Sequence, residues 1–89
     1  MPDSSTNARG DVLVAAFYRF AALEDFRELR APLLQSCEDL GLLGTILLAA
    51  EGINGTVAGS ERSVERLLVR LRSDPRLAAL DCKRSWAPE

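Results

Sequence analysis

Residues 44–59 read GTILLAAEGINGTVAG, and this stretch decides the fold. Residues 44–51 form a largely apolar run, which predicts a buried strand. Residues 51–55 then supply two glycines and an asparagine, the residue types that tolerate a positive φ, and Asn54-Gly55 is a strong turn signal between two apolar runs. Residues 55–59 predict a short returning strand, so the whole stretch predicts a β-hairpin.

A strand and a helix are predicted on the N-terminal side of this hairpin. Residues 12–20, VLVAAFYRF, are β-branched and aromatic, and both faces of the run are largely apolar, as in a central strand. Asp25 and Gly41 fit a helix N-cap and a helix terminator, while Pro32 should kink the helix or divide it. The residues between them that fall on one helix face are Phe26, Leu29, Leu33, Cys37 and Leu40.

A second helix and a last strand are predicted on the C-terminal side. Ser60 fits an N-cap, and Asp74-Pro75 ends the helix. The predicted edge strand covers residues 80–86. The apolar stripe of this helix consists of Val64, Leu67, Leu68 and Leu71.

The element order β, α, β, β, α, β predicts an α+β fold. It is the ferredoxin-like βαββαβ sandwich, a four-stranded antiparallel sheet with two helices on one face. The other face of the sheet is then bare, and Tyr18 and Phe20 are placed on it by the alternation of the first strand, with Lys83 from the last strand. Contiguous apolar area of this kind marks an interaction surface. Residues 1–11, which show no apolar periodicity, are expected to form a flexible tail before a domain that covers residues 12–86.

Composition excludes several classes of protein. With 89 residues the chain has room for one domain, and a net charge of −2 does not suit a protein that binds nucleic acid through phosphate neutralisation alone. There is no histidine, and Cys37 and Cys82 are read as reduced, buried thiols, so no zinc, haem or iron–sulfur site and no cofactor is expected. The apolar run of residues 46–50 is far too short to cross a bilayer. A cytoplasmic domain without a membrane partner is predicted.

Each function that is common among proteins of this fold requires particular residues. A metal carrier needs a Cys-x-x-Cys loop after the first strand, where this chain has residues 20–23, FAAL. Acylphosphatase chemistry needs a glycine-rich phosphate loop, and residues 19–25 contain no glycine. An RNA-recognition motif needs aromatic residues on both central strands, and residues 55–59 offer none.

No catalytic constellation is predicted. Glu51 stands at a strand end, where a carboxylate commonly accepts backbone hydrogen bonds. Cys37 on an apolar helix face has a poorly stabilised thiolate, and no general base is placed beside Cys82. Arg62, Arg66 and Arg70 form a basic stripe on the second helix, which is typical of a solvated face.

Two blocks of the chain carry a family resemblance. They are Phe17-Tyr18-Arg19-Phe20 and the run from Gly44 to Gly59, in which the motif is Glu51, Gly52, Ile53, Asn54 and Gly55. Over residues 12–86 the chain resembles the N-terminal, ferredoxin/acylphosphatase-like domain of the rhodanese-domain tRNA uridine hydroxylases, long labelled an uncharacterised protein family.

The resemblance implies a parent enzyme that hydroxylates the wobble uridine of certain tRNAs with oxygen. The active cysteine of the family lies in the rhodanese domain, and neither Cys37 nor Cys82 matches it, so this chain is expected to be inactive alone. Residues 87–89 are expected to start the linker to that domain. The implied partners are the rhodanese domain of the same parent chain and tRNA.

Two hypotheses from different classes remain. In the first, the domain docks the catalytic domain and helps to position tRNA, with Tyr18, Phe20 and Lys83 on the interdomain or RNA face. In the second, it is a purely structural or dimerisation module without RNA contact. A third, small-molecule sensing, has only the fold in its favour.

Overall fold

The alternation of apolar residues along the first strand sets the position of the core. Leu13, Ala15 and Phe17 are buried on one face of this strand, whereas Ala16 and Tyr18 are exposed on the other. In the computed structural model, which describes residues 11–88, the elements in chain order are β1 (Asp11–Phe20), α1 (Phe26–Asp39), β2 (Leu43–Ala49), β3 (Gly52–Gly59), α2 (Glu61–Arg72), a 3-10 turn (Pro75–Leu77) and β4 (Asp81–Pro88).

The strands form one antiparallel sheet in the order β2-β3-β1-β4. Both helices cover the same face, because the buried residues of α1 and α2 pack against the buried residues of β1 and β3 in a single core cluster. The predicted ferredoxin-like α+β sandwich is confirmed, and the opposite face of the sheet has no helix over it within residues 11–88.

Helix α1 begins and ends where the sequence predicted. After Leu40 the chain enters the left-handed region at Gly41, with φ of 69°. The amide of Leu42 donates to the carbonyl of Cys37 at 2.9 Å and the amide of Gly41 to that of Glu38 at 3.1 Å, which is a Schellman C-terminus. Pro32 does not divide the helix, which runs undivided through residues 26–39.

Helix α2 confirms its predicted cap and stripe. The hydroxyl of Ser60 accepts a hydrogen bond from the amide of Ser63 at 3.1 Å. The stripe packs onto β1 and β3, and its members are all buried: Val64, Leu67, Leu68 and Leu71.

The predicted turn of the β2–β3 hairpin was misplaced. The strands are joined by Ala50 and Glu51 alone, and β3 already starts at Gly52. Asn54 and Gly55 therefore lie inside a central strand, where Asn54 pairs with Tyr18 of β1. The Asn-Gly pair shows only that a turn is allowed at this position. Here β3 pairs with β1 on one side and with β2 on the other, and these hydrogen-bonded ladders hold Asn54 and Gly55 in an extended conformation.

The outer strands extend a few residues beyond their predicted bounds. Asp11 belongs to β1 rather than to the tail, and β4 continues through Ala87 and Pro88, which the sequence assigned to a linker. The rest of the predicted tail, residues 1–10, and Glu89 lie outside the described residues.

Candidate functional site

The open face of the sheet is the candidate site, and its members follow from strand register. Cross-strand neighbours on this face form three rows, which run from β2 to β4. Side chains directly opposite each other lie about 5 Å apart, so each row makes a continuous surface. The rows are Leu47–Asn54–Tyr18–Asp81, Thr45–Thr56–Ala16–Lys83 and Leu43–Ala58–Val14–Ser85.

Large apolar side chains are exposed on this face. Phe20 is 78% exposed, Leu43 76%, Leu47 59% and Tyr18 50%. The Tyr18 and Phe20 rings meet edge to face, with centroids 6.0 Å apart and an interplanar angle of 66°. The predicted exposure of the first-strand aromatics is thus observed, and β2 adds two leucines that the sequence argument did not place there.

Two shallow depressions lie over the small residues in the middle of the open face. The first holds about 470 Å³ and has Ala16 in its floor. Its border consists of Tyr18, Asn54, Thr56, Asp81 and Lys83. The second holds about 420 Å³ and lies between β2 and β3. Asn54 and Thr56 border both, so they stand at the centre of the surface.

The structure separates the members of the predicted 51–55 motif. Glu51 is exposed at the hairpin tip, where its backbone carbonyl accepts a hydrogen bond from the amide of Ala21 at 3.0 Å. Gly52 and Ile53 are buried, and Gly55 lies on the helix-covered face. Only Asn54 projects onto the open face beside Tyr18.

Gly55 is required by close packing rather than by a turn. A Cβ atom built at this position would lie 3.0 Å from Cζ of Phe17 and 2.8 Å from the carbonyl oxygen of Thr45. The Phe17 ring thus occupies the space that a side chain would need, in the middle of the core under the open face. Because side chains alternate along a strand, Asn54, the residue before Gly55, projects onto the open face.

The charges of the open face nearly cancel. Asp81 and Lys83 are its charged side chains within the described strands, and both are exposed. Most other cations lie on the helix side, where Arg84 pairs with Glu65 of α2. The Arg62, Arg66 and Arg70 stripe is exposed on α2, as predicted.

A second ionic cluster lies away from the open face and ties α1 to the 3-10 turn. Arg76 bridges Asp25 at 2.6 Å and Asp74 at 2.7 Å. Hydrogen bonds from the Arg76 guanidinium lower the pKa of both carboxyls. Asp25 makes no side-chain cap hydrogen bond to α1, so its carboxylate serves this bridge instead.

The two cysteines are far apart in the sequence and do not form a disulfide with each other. Both thiols are free and partly buried, and Cys37 borders a groove of about 290 Å³ between α1 and β2. Burial raises the pKa of the Cys37 thiol, which disfavours the nucleophilic thiolate. Across residues 11–88, no three Cys, Asp or Glu side chains converge as a metal site would need.

No helix in the described part of the chain is long and apolar enough to cross a membrane.

The chain belongs to the family described as the UPF0176 acylphosphatase-like domain, whose model matches residues 12–89. Its relatives include the tRNA uridine(34) hydroxylase of Albidiferax ferrireducens, 53% identical over 77 residues, and that of Teredinibacter turnerae, 51% identical over 79 residues. The matches cover 86% and 89% of this chain but only 24% and 25% of the relatives. The chain therefore spans about a quarter of the length of these curated relatives.

Among solved structures, a PII-like signaling protein of Thermus thermophilus is similar, with a TM-score of 0.53 and 20% identity. The match covers 88% of this chain and 89% of that one. At this identity the likeness concerns the fold alone, and it agrees with the βαββαβ sandwich described above.

Proposed function

We propose that this chain is the non-catalytic N-terminal domain of a rhodanese-type tRNA wobble-uridine 5-hydroxylase. In this proposal the open face of its sheet docks the catalytic domain of the same parent and helps to position tRNA. The chain itself contributes no reacting group. The names of its relatives support the reaction, and their length, about four times that of the matched segment, supports a partner domain in the same chain.

The observation that carries the docking role is the exposure of four large apolar side chains on one sheet face. A chain of this size seldom leaves this much apolar surface on one face in water unless a partner covers it. Burying the exposed parts of Leu43, Leu47 and Phe20 stabilises a complex by about 1 kcal/mol or more for each side chain.

The near-neutral charge of the open face also favours a protein as its main partner. Nucleic acid binding through the phosphate backbone needs several cations, and this face offers Lys83 beside Asp81. Any RNA contact on this face is therefore local, to a single nucleotide rather than along a strand.

The test is reconstitution from two pieces. The chain is mixed with the Albidiferax ferrireducens relative lacking its 77 matched residues, and complex formation is measured by calorimetry together with hydroxylation of tRNA. We expect a complex and restored 5-hydroxyuridine formation. A Leu47→Lys variant, which places a charge on the open face, should weaken the complex at least tenfold.

Val69→Lys is the matched control. Val69 is 69% exposed, comparable to Leu47 at 59%, but it lies on α2 on the other side of the molecule. If Leu47→Lys and Val69→Lys weakened the complex equally, the added positive charge would be the cause, and not its position on the open face. Wild-type affinity in Leu47→Lys would refute docking through this face.

A dimerisation module is the second candidate, and the edge strand β2 favours it. Residues 43–49 contain no charge and no proline, whereas the other edge, β4, carries Lys83, Arg84 and Pro88. Natural sheets guard their edges with such residues, so β2 is the edge open to pairing with a second strand.

A further inference from the structure

We propose that the depression bordered by Tyr18, Asn54 and Lys83 on the open face binds one unstacked nucleotide of RNA. The base stacks on Tyr18, the Asn54 amide bonds to the base edge, and Lys83 takes the phosphate. This inference rests on the proposed function and assigns the nucleotide contact to particular side chains.

Asn54 is the main reason for placing the nucleotide site at this depression. Asparagine is depleted in strands, yet it stands here in the central strand β3 with its side chain exposed on the open face. Within residues 11–88, no hydrogen bond engages its amide. An amide carries both a donor and an acceptor, so it can make two hydrogen bonds to the edge of a base.

Tyr18 supplies a stacking surface next to this amide. It lies directly opposite Asn54 in the register of β1 and β3, and half of its surface is open to solvent. Its edge-to-face contact with Phe20 limits the freedom of the ring before any ligand binds. Stacking on such a ring strengthens binding about 5- to 150-fold per base.

The floor and the far border of the depression fit the rest of a nucleotide. Ala16 and Thr56 are small, so a flat base can approach the sheet over this pair, beside the neighbouring pair of Tyr18 and Asn54. Lys83 lies across Ala16 from Thr56, and strand spacing places its backbone about 12 Å from that of Asn54. A base held at Asn54 and a phosphate held at the end of the flexible Lys83 side chain span this interval.

The leucines and the border of the depression occupy different parts of the open face, which leaves room for both a docked domain and RNA. Leu43 and Leu47 lie on β2, on one side of Asn54, whereas Tyr18 and Lys83 lie on the other side. A docked domain over β2 therefore leaves the depression between β3 and β4 as a pocket at the border of the interface.

The test uses the 89-residue chain labelled with ¹⁵N and a short single-stranded oligouridylate. Binding is followed through backbone amides and through the side-chain amide of Asn54. We expect localised shifts at Asn54, Ala16 and Lys83, and a shift of the Asn54 NH₂ resonances that a fully abasic oligomer of the same length does not produce. Asn54→Ala should weaken binding about tenfold, as expected for loss of a pair of base-edge hydrogen bonds.

Ser85→Ala is the matched control, since Ser85 is exposed on the same face of β4 but does not border the depression. It should bind as the wild type does. Unchanged affinity in Asn54→Ala, or shifts confined to the α2 arginines, would overturn the nucleotide site while leaving the docking role intact. Absence of any shift with oligouridylate would also overturn it, and the reconstitution experiment would then judge the docking role separately.

Discussion

Gly44 shows how strongly one backbone position constrains the pairing of β2 with β3. Its φ of 134° is rare for residues with a side chain, and a Cβ atom there would overlap the carbonyl oxygen of Thr56 in β3. We expect Gly44→Ala to lower the free energy of unfolding by about 3 kcal/mol or more. Urea denaturation at equilibrium measures this directly.

Gly41→Ala is the comparison for that prediction. Gly41 has a φ of 69°, but a Cβ atom would meet nothing within 4 Å, so only the left-handed conformation is penalised. The loss of stability should be about 1 kcal/mol. If both variants lost the same stability, the contact between β2 and β3 at Gly44 would not be as tight as described.

The Asp25–Arg76 bridge gives stability a dependence on pH. Hydrogen bonding to Arg76 lowers the pKa of Asp25 in the folded state, so the ionised form favours folding. This contribution is fully present above the unfolded pKa, about 4, and is lost as the pH falls through the folded value. Asp25→Asn should therefore be less stable than the wild type at pH 7, with a difference that shrinks below about pH 4.

Thermal unfolding of both proteins between pH 2 and pH 7, in steps of about one unit, follows this prediction across the relevant pKa range. Asp39→Asn is the control, since Asp39 is an exposed acid at the other end of α1 that accepts a hydrogen bond from neutral Gln35 at 2.9 Å. Because the bridge is largely exposed, its effect should also weaken at high salt. A pH-independent difference for Asp25→Asn would show that lost packing, and not charge, is responsible.

Individual residues also show which features of the structure could be predicted from the sequence and which could not. The apolar faces of β1 and α2 were read correctly because burial follows a fixed period along a strand or helix. Asn54 was assigned to a turn because its neighbour is glycine, and only the contact between Gly55 and Phe17 reveals that this glycine serves packing. The sequence alone does not distinguish a glycine that is needed for a turn from a glycine that is needed because a neighbouring side chain packs against the backbone.

At the scale of the elements, helix α1 contains a proline in its interior, and the effect of this proline on stability can be tested. Pro32 cannot donate the hydrogen bond that an interior residue gives to the carbonyl four positions earlier, that of Glu28, yet the helix is undivided. Pro32→Ala restores this donor without removing a buried side chain, since Pro32 is exposed. We expect the free energy of unfolding to rise by about 1–3 kcal/mol.

Ala31→Gly is an opposite control on the same exposed stretch of α1, and it should cost about 1 kcal/mol. A loss of stability in Pro32→Ala would indicate that the proline ring contributes more by its contacts beside Leu29 and Leu33 than it costs in the helix.

The elements of the hairpin explain which part of the site could be inferred from sequence. Strand alternation placed Tyr18 and Phe20 on one face of β1 and showed that Lys83 and Arg84 must face opposite sides of β4. The register of β4 with β1 then puts Lys83 on the same face as Tyr18. The leucines of β2 were not placed there, because the turn was set too late and the strands of the hairpin lacked a register. Placing the turn at Ala50 and Glu51 brings Leu43, Leu47 and Asn54 to the same face.

At the scale of the whole molecule, two partners could use strand β2. A second copy of the chain would pair with its bare edge, and the docked catalytic domain would cover its leucines. Pairing of β2 with a second copy would bring Leu43 opposite Leu47 and Thr45 opposite Thr45 of the partner, in an antiparallel arrangement centred on Thr45. The docked catalytic domain of our proposal would cover the same leucines. A domain that covers Leu43 and Leu47 on the outermost strand would overhang the β2 edge, so we expect docking to compete with strand pairing.

Sedimentation velocity over a range of concentrations tests this competition. We expect the isolated chain to self-associate, and the Albidiferax ferrireducens relative lacking its 77 matched residues to replace the second copy. Thr45→Lys, which puts a charge on the bare edge, should abolish self-association, whereas Ser85→Lys on the already charged β4 edge should not. If homodimer and heterocomplex form together without competing, the catalytic domain does not cover β2, and docking through Leu43 and Leu47 is wrong.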